Sequence, residues 1–396
     1  MEHDTAGNVS AHRFSGFGKE GSGTYNPPMS EAMKQQGPIA VYGATGYTGK
    51  LVAAELDRVG ADFILAGRNS GKLDAVASSL TGRPPVQAVS LDDGDGLHEL
   101  FSECRAVIAC AGPFHLHGEP VLSAAVAAGT HYLDTTGEQT YMKMAMEKYG
   151  PKAVEAGVAV IPAMGFDYVP GDMIAALTAG GMDPVDTVKL AYRAKMQPTH
   201  GTMLSALEMI KGGDLEWRGG GLMPASQKVS RGSYDFGGAL GEQRMTRYPA
   251  GEHISVPRHI RTRTVETMLS ADSFAPEAAA PLLPLIVRPS ALLMRTPVRH
   301  LTAKLISRLP EGASEEARSE SEFTIGCEVS GGGETRRGEI SGRDVYGLTA
   351  ALIVKGARMA ASGEVKLTGG LAPSQAFDPT AFLEGFDRFA IKWRVD

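Results

Sequence analysis

Residues 38–50 read Pro-Ile-Ala-Val-Tyr-Gly-Ala-Thr-Gly-Tyr-Thr-Gly-Lys, a short apolar run that meets three glycines spaced three apart. Ile39, Ala40, Val41 and Tyr42 are compact enough for a buried parallel strand. Gly43 permits the sharp exit from that strand. Gly46 lets the main chain approach a pyrophosphate with no Cβ in the way, and Gly49 lets the following helix lie close to the sheet. Ala44, Thr45, Tyr47 and Thr48 complete the turn, and Val52, Leu56 and Val59 recur after it at helical spacing. A bound anion would sit on unpaired N–H groups at the positive end of the helix dipole. The pattern is Gly-x-x-Gly-x-x-Gly rather than Gly-x-Gly-x-x-Gly, and glycine turns of this kind also occur where nothing binds.

The next strand shifts the balance towards binding. Asp62-Phe63-Ile64-Leu65-Ala66 ends in Gly67-Arg68-Asn69, where an NAD-binding unit usually carries an acid for the ribose diol. Arg68 stands there instead. A guanidinium pairs with a 2′-phosphate through a forked hydrogen bond, and Lys72 in the following turn adds charge, so NADPH is expected over NADH. The alternative for Arg68 is a solvated loop charge.

With 396 residues, 43% of them hydrophobic, the chain can bury a large core in two domains. A formal net charge of −6 gives no overall basic footprint and argues against a nucleic-acid partner. Cys104, Cys110 and Cys327 form no Cys-x-x-Cys pair, which predicts a reducing, cytoplasmic setting without a disulfide framework or structural zinc. No apolar run reaches membrane-spanning length, and the first residues lack the apolar core of a secretory signal.

Along the chain, residues 1–36 carry no apolar period and predict a disordered tail. A helix is expected over Ser70–Leu80, a strand over Val86–Leu91, a short helix over Leu97–Glu103 and a buried strand over Ala106–Cys110. Asp92, at the end of the third strand, can accept from an adenine amino group, although an ordinary turn acid explains it nearly as well. Ala111-Gly112-Pro113-Phe114 leaves the carboxyl end of the fourth strand, the side on which open α/β sheets bind ligands, and should line the nicotinamide. A helix over 120–128, a strand over Tyr132–Asp134, a helix over 140–156 and a strand over Val158–Pro162 extend the alternation, which predicts a doubly wound parallel sheet.

After Gly165 the pattern changes. A compact turn, Gly165-Phe166-Asp167-Tyr168-Val169-Pro170-Gly171-Asp172, precedes a helix over Met173–Ala179, with Asp172 in its first turn. Strands are expected over Thr187–Tyr192 and Arg258–Thr267, with a helix over Thr202–Ile210 between them and covering loops over 212–241. Residues 281–310 combine apolar residues with Arg288, Arg295, Arg299, Lys304 and Arg308 and contain no acid. Such a segment is a helix with a solvated basic face, a membrane-surface helix or a dock for an acidic partner. A hairpin over Phe323–Val329 and Glu339–Gly342, a helix over Asp344–Ala360 and a last helix including Phe382–Phe389 follow.

Gly43-Ala44-Thr45-Gly46-Tyr47-Thr48-Gly49, Ala66-Gly67-Arg68, Ala111-Gly112-Pro113-Phe114, Tyr132-Leu133-Asp134 with Gly137-Glu138, Gly165-Phe166-Asp167 with Pro170 and Asp172, and Tyr346-Gly347-Leu348-Thr349-Ala350 together resemble the saccharopine dehydrogenase-like oxidoreductases. The resemblance runs from about Pro38 to the C-terminus and is strongest to the branch of trans-acting enoyl reductases. It implies an α/β fold: an N-terminal NADP-binding Rossmann domain over 37–165, a second α+β domain of mixed sheet over 166–342, and C-terminal helices over 343–396 that return to the first domain. It also implies hydride transfer, with NADP as cofactor, to a C=C or C=N bond of a small or carrier-bound metabolite. The basic stretch 288–308 would then dock an acidic carrier protein. The basic residues that hold amino-acid carboxylates in saccharopine-forming enzymes have no evident counterpart here. A saccharopine-type amine oxidoreductase and a non-catalytic NADP sensor are the alternatives, and a homo-oligomer is compatible with all three.

The cofactor performs the hydride chemistry, so the protein must position the nicotinamide, bind developing charge and supply a proton. His115 and His117 follow the nicotinamide loop, Asp134 and Glu138 the fifth strand, Asp167 and Tyr168 the sixth. Of these, His115 or Tyr168 is placed to protonate the atom beside the reduced centre, with Asp134 and Asp167 as further candidates. Each also has a plain structural reading: a core tyrosine, a loop-holding aspartate, a solvent-facing histidine. No Gly-x-Ser-x-Gly elbow follows a strand, and His115 and His117 lack a third partner at metal-ligand spacing, which disfavours hydrolase and metal chemistry.

Overall fold

The computed structural model describes residues 37–195, 199, 213–226, 231–270, 273 and 312–396. The tail at 1–36, the helix expected over Thr202–Ile210 and the basic segment 281–310, with its dock at 288–308, lie outside the described residues.

β1 (Ile39–Tyr42) is buried at every position. Ile39 and Val41 face one apolar layer, Ala40 and Tyr42 the other, as a strand covered on both sides requires. The chain continues through α1 (Tyr47–Arg58), β2 (Phe63–Gly67), α2 (Ser70–Ser79), β3 (Val86–Ala88), α3 (Gly94–Ser102), β4 (Ala106–Ala109), α4 (Phe114–Ala127), β5 (His131–Asp134), α5 (Gln139–Lys148), α6 (Gly150–Glu155) and β6 (Ala159–Ile161). These strands are parallel in the order β6-β5-β4-β1-β2-β3. The order reverses between β1 and β4, which opens a ligand crevice at their carboxyl ends. This is the doubly wound sheet expected from the alternation.

Two local expectations are corrected. α4 begins at Phe114 rather than near 120, because Glu138, remote in sequence, satisfies its first N–H groups. The single helix expected over 140–156 is two, α5 and α6, which meet at Tyr149 and Gly150. A Cβ on Gly150 would stand 3.1 Å from the Gly370 nitrogen, so the break accommodates a strand from the far end of the chain.

α7 (Val169–Ala179) leads into the second sheet. Its strands are β7 (Val185–Ala194), β8 (Leu215–Arg218), β9 (Gly221–Pro224), β10 (Arg231–Asp235), β11 (Glu242–Arg247), β12 (Thr262–Ser270) after the short α8 (Glu252–Ser255), and, after α9 (Glu315–Ser319), β13 (Glu322–Gly331) and β14 (Glu334–Arg343). α10 (Val345–Ala361), β15 (Gly369–Gly370), α11 (Pro373–Ala376), α12 (Pro379–Leu383) and β16 (Lys392–Val395) complete the chain. The second sheet is mixed, in the order β10-β11-β12-β7-β13-β14-β16, with β12 and β7 parallel and β8 pairing β12 and β9. Where loops were expected over 212–241, the described residues form the β8–β9 hairpin and β10. The Trp217 indole anchors that hairpin by donating to the Thr262 carbonyl at 3.0 Å. The last expected helix is α12 and a separate turn, interrupted at Gly385, whose φ is +81°.

The C-terminal segment ties the two sheets. α10 packs beside α1 over β1, β4 and β5, burying Leu348, Leu352, Ile353 and Val354. Each such side chain contributes about 1.5–3 kcal/mol when removed from water. β15 adds a seventh parallel strand beside β6, and β16 pairs with β14 in the second sheet.

Candidate active site

The glycine turn has the geometry of a phosphate cradle. Gly43 has φ +87°, and a Cβ there would stand 2.8 Å from the Ala111 nitrogen, so the turn after β1 rests on the loop after β4. A Cβ on Gly49 would collide with the Gly43 carbonyl oxygen. Gly46 differs: it is exposed at the N-cap of α1 with an ordinary φ of −77°, and a Cβ there would find nothing nearer than Gly43 O at 3.6 Å. No side chain caps α1 and its first turn holds no acid, so its N–H groups remain for an anion. Ala44 is buried beneath the turn; Thr45, Tyr47 and Thr48 are half-buried at its surface. The Tyr47 hydroxyl donates to Ala313 O at 2.7 Å. These features fit a dinucleotide pyrophosphate.

At the other end of the crevice Arg68, Lys72 and Asp92 are all exposed. Asn69 caps α2 by accepting from Lys72 N at 2.9 Å, which fixes Lys72 in the first helical turn. Burial raises the Tyr42 hydroxyl pKa; the Arg68 charge opposes that shift and Asp92 adds to it, so both charges stand at the same edge. The Tyr42 hydroxyl itself donates to Val89 O at 3.0 Å, joining β1 to the end of β3.

Ala111, Gly112 and Pro113 lead directly into α4. Glu138 is buried, accepts from Phe114 N at 2.8 Å and His115 N at 2.9 Å, and lies 2.8 Å from His115 Nδ1. The carboxylate both caps α4 and complements its dipole. About a third of the His115 side chain remains exposed (31%). His117 lies in the same first turn, its N–H bonded to Pro113 O at 3.0 Å.

Asp134, at the end of β5, is fully buried. Its Oδ1 accepts from Thr136 N and Ala163 N, both at 2.9 Å, yet burial still pushes the carboxyl up to about 7. Tyr168 is likewise core: its hydroxyl donates to Gly137 O at 2.7 Å and burial raises its pKa well above the usual value. Asp167 is only half-buried, although the desolvation of its carboxyl raises it to about 6. A Cβ on Gly137 would lie 3.8 Å from Asp167 Oδ2, so this carboxyl faces the loop that carries Glu138. The carboxyl ends of β4, β5 and β6 thus bring His115, Glu138, Asp134, Asp167 and Tyr168 to one end of the crevice.

Residues from the second sheet complete this end without any local signal in the sequence. Glu252 on α8 is fully buried, its Oε1 accepts from the Tyr192 hydroxyl, and burial holds its carboxyl well above the usual range. Tyr248 stands beside Tyr192, ring centroids 5.9 Å apart. Asp172 has a structural position: its Oδ1 meets His259 Nε2 at 2.8 Å and its Oδ2 accepts from Ser374 N at 2.9 Å, tying α7 to α11. Burial would raise its carboxyl, but His259 and the hydrogen-bonding hydroxyls more than offset this and hold it below the usual range. A cavity of about 550 Å³ along the end of α7 and α12 includes none of the candidate residues. Among the described residues no cluster of three or more His, Cys, Asp or Glu can hold a metal, and no helix is long and apolar enough to cross a membrane.

The sequence pattern of the saccharopine dehydrogenase NADP-binding domain matches residues 39–161, from β1 to β6. A trans-acting enoyl reductase of Mycobacterium bovis is 28% identical over 198 residues, covering 49% of this chain and 44% of that protein. A saccharopine dehydrogenase-like oxidoreductase of Mus musculus is 32% identical over 152 residues, 34% of this chain and 35% of the relative. The chain therefore spans less than half the length of these relatives. The structure of apo, histidine-tagged saccharopine dehydrogenase (L-Glu forming) from Saccharomyces cerevisiae covers 91% of this chain and 100% of its own, with a TM-score of 0.60 at 13% identity, which shows a shared fold. Over residues 39–161, from β1 to β6, the chain is thus similar to the saccharopine dehydrogenase NADP-binding domain.

Proposed function

We propose that the chain is an NADPH-dependent reductase that transfers hydride to a C=C or C=N bond of a small or carrier-bound biosynthetic metabolite in the cytoplasm, with Asp167 as proton donor. The observation that supports this reading is the Asp167 carboxyl, raised to about 6 and facing Gly137, the neighbour of the Glu138 that holds Phe114 and His115. NADPH supplies the hydride. Gly43, Gly46 and Gly49 hold the pyrophosphate, Arg68 and Lys72 the 2′-phosphate, and Ala111, Gly112 and Pro113 flank the nicotinamide. A carboxyl of this pKa is protonated below pH 6 and in part at neutral pH, which suits donation to the atom beside the reduced centre. His115, oriented by Glu138, is the second group placed to move a proton; Tyr168 is left holding Gly137.

For a carrier-bound substrate the basic residues of 288–308 supply the dock. Replacing Arg295, Arg299 and Lys304 by Glu then abolishes carrier affinity, whereas unchanged affinity excludes the dock. The chemistry is tested by following NADPH oxidation with matched enoyl thioesters and cyclic imines. Turnover that falls about 100-fold or more in Asp167→Asn, with NADPH affinity retained, is expected. Bound NADPH that no member oxidises, or an unimpaired variant, contradicts the reading.

A further inference from the structure

One turn of α10 touches both ends of the crevice. Asp344 sets where the helix starts, accepting from Gly347 N at 2.9 Å. Tyr346 and Thr349 then project from the same face, three residues apart. Tyr346 meets the ring of Tyr47 edge-on, centroids 5.5 Å apart, beside the glycine turn. Thr349 Oγ1 accepts from Phe166 N at 3.0 Å. The Thr349 hydroxyl hydrogen is committed to Val345 O at 2.8 Å, so its oxygen is left to accept. A Cβ on Gly165 would meet Thr349 Cγ2 at 3.2 Å, so the loop lies directly on the threonine. The Phe166 ring is anchored on the other side by Phe323, centroids 4.6 Å apart.

Resting on the reading of Asp167 as proton donor, we propose that Thr349 is a positioning residue that holds Gly165-Phe166-Asp167 so that the Asp167 carboxyl faces Gly137 rather than solvent. Phe323 pins the loop by its ring and Thr349 by its backbone. With both in place the backbone that leads into residue 167 is fixed. Without the Thr349 oxygen the Phe166 N–H loses its partner, and the loop must lift to find water. Among the described residues, the titratable groups that face Asp167 are Tyr168 from its own loop, Tyr248 from the loop after β11 and Glu252 from α8. None of them carries a positive charge that would hold the carboxyl in place.

The test is a carboxyl NMR titration of protein labelled with 13C at the aspartate side chain, the Asp167 signal being assigned by its loss in Asp167→Asn. In the wild type it titrates near 6. Thr349→Ser keeps that midpoint, and Thr349→Val lowers it by about one pH unit, towards the ordinary carboxylate value. Thr349→Ala removes the acceptor without added bulk and carries the test if the valine variant does not fold. An unshifted midpoint in the folded Val or Ala variant overturns the positioning role and leaves the reading of Asp167 standing. An ordinary midpoint in the wild type overturns both.

Discussion

The Glu138 carboxylate lies 2.8 Å from Nδ1 of His115 while it accepts the backbone N–H groups of Phe114 and His115 at the start of α4. One buried side chain thus fixes the end of the loop after β4, the first turn of a helix and the orientation of an imidazole. Glu138→Ala leaves two N–H groups without their acceptor and should cost about 3 kcal/mol of stability by denaturant titration. Glu138→Gln, which keeps one accepting oxygen, should cost less. An alanine variant as stable as the wild type removes this anchor from the account.

The three glycines of the turn should separate stability from binding. Gly46→Ala meets no protein atom closer than 3.6 Å and sits at ordinary φ, so its melting temperature should stay within about 2 °C of wild type while NADPH affinity falls at least about tenfold. Gly49→Ala drives its methyl into the Gly43 carbonyl and should lose stability and binding together. Equal NADPH affinity in Gly46→Ala and wild type would place the pyrophosphate elsewhere.

Asp167 also predicts how stability depends on pH. Its folded pKa of about 6 lies above the ordinary aspartate value. A raised carboxyl contributes stability that is fully present below about pH 4 and is lost as pH rises through 6. At pH 8 the wild type therefore carries an ionised, desolvated carboxyl that Asp167→Asn lacks. Calorimetry should find the variant melting higher at pH 8, with the advantage gone near pH 4. A variant less stable at pH 8 than at pH 4, relative to wild type, contradicts the desolvation. Asp134, raised to about 7, acts in the same direction.

The sequence displayed the parts of the site whose physics is local. Gly43, Gly46 and Gly49 announce a turn because each role depends on backbone within a few residues, and Arg68 is legible because it follows β2 directly. The start of α4 was not legible, since the cap comes from Glu138 across the sheet rather than from a residue before Phe114. The break between α5 and α6 was hidden for the same reason: it answers to Gly370, in a strand that the C-terminal segment inserts beside β6. Thr349 was quoted in the motif Tyr346-Gly347-Leu348-Thr349-Ala350, but nothing in the chain links it to Phe166, 183 residues away. Glu252 follows an unremarkable Ala250-Gly251, and only burial against Tyr192 marks it out.

The proposed reduction depends on NADP held by the turn after β1 and by Arg68. Calorimetric titration of NADPH and NADH into the wild type and Arg68→Ala checks that dependence. The wild type should bind NADPH much more tightly than NADH. In Arg68→Ala that preference should collapse, with a loss of about tenfold or more for NADPH and little change for NADH. Binding of neither nucleotide to the wild type, or an Arg68→Ala variant with undiminished preference for NADPH, would contradict it.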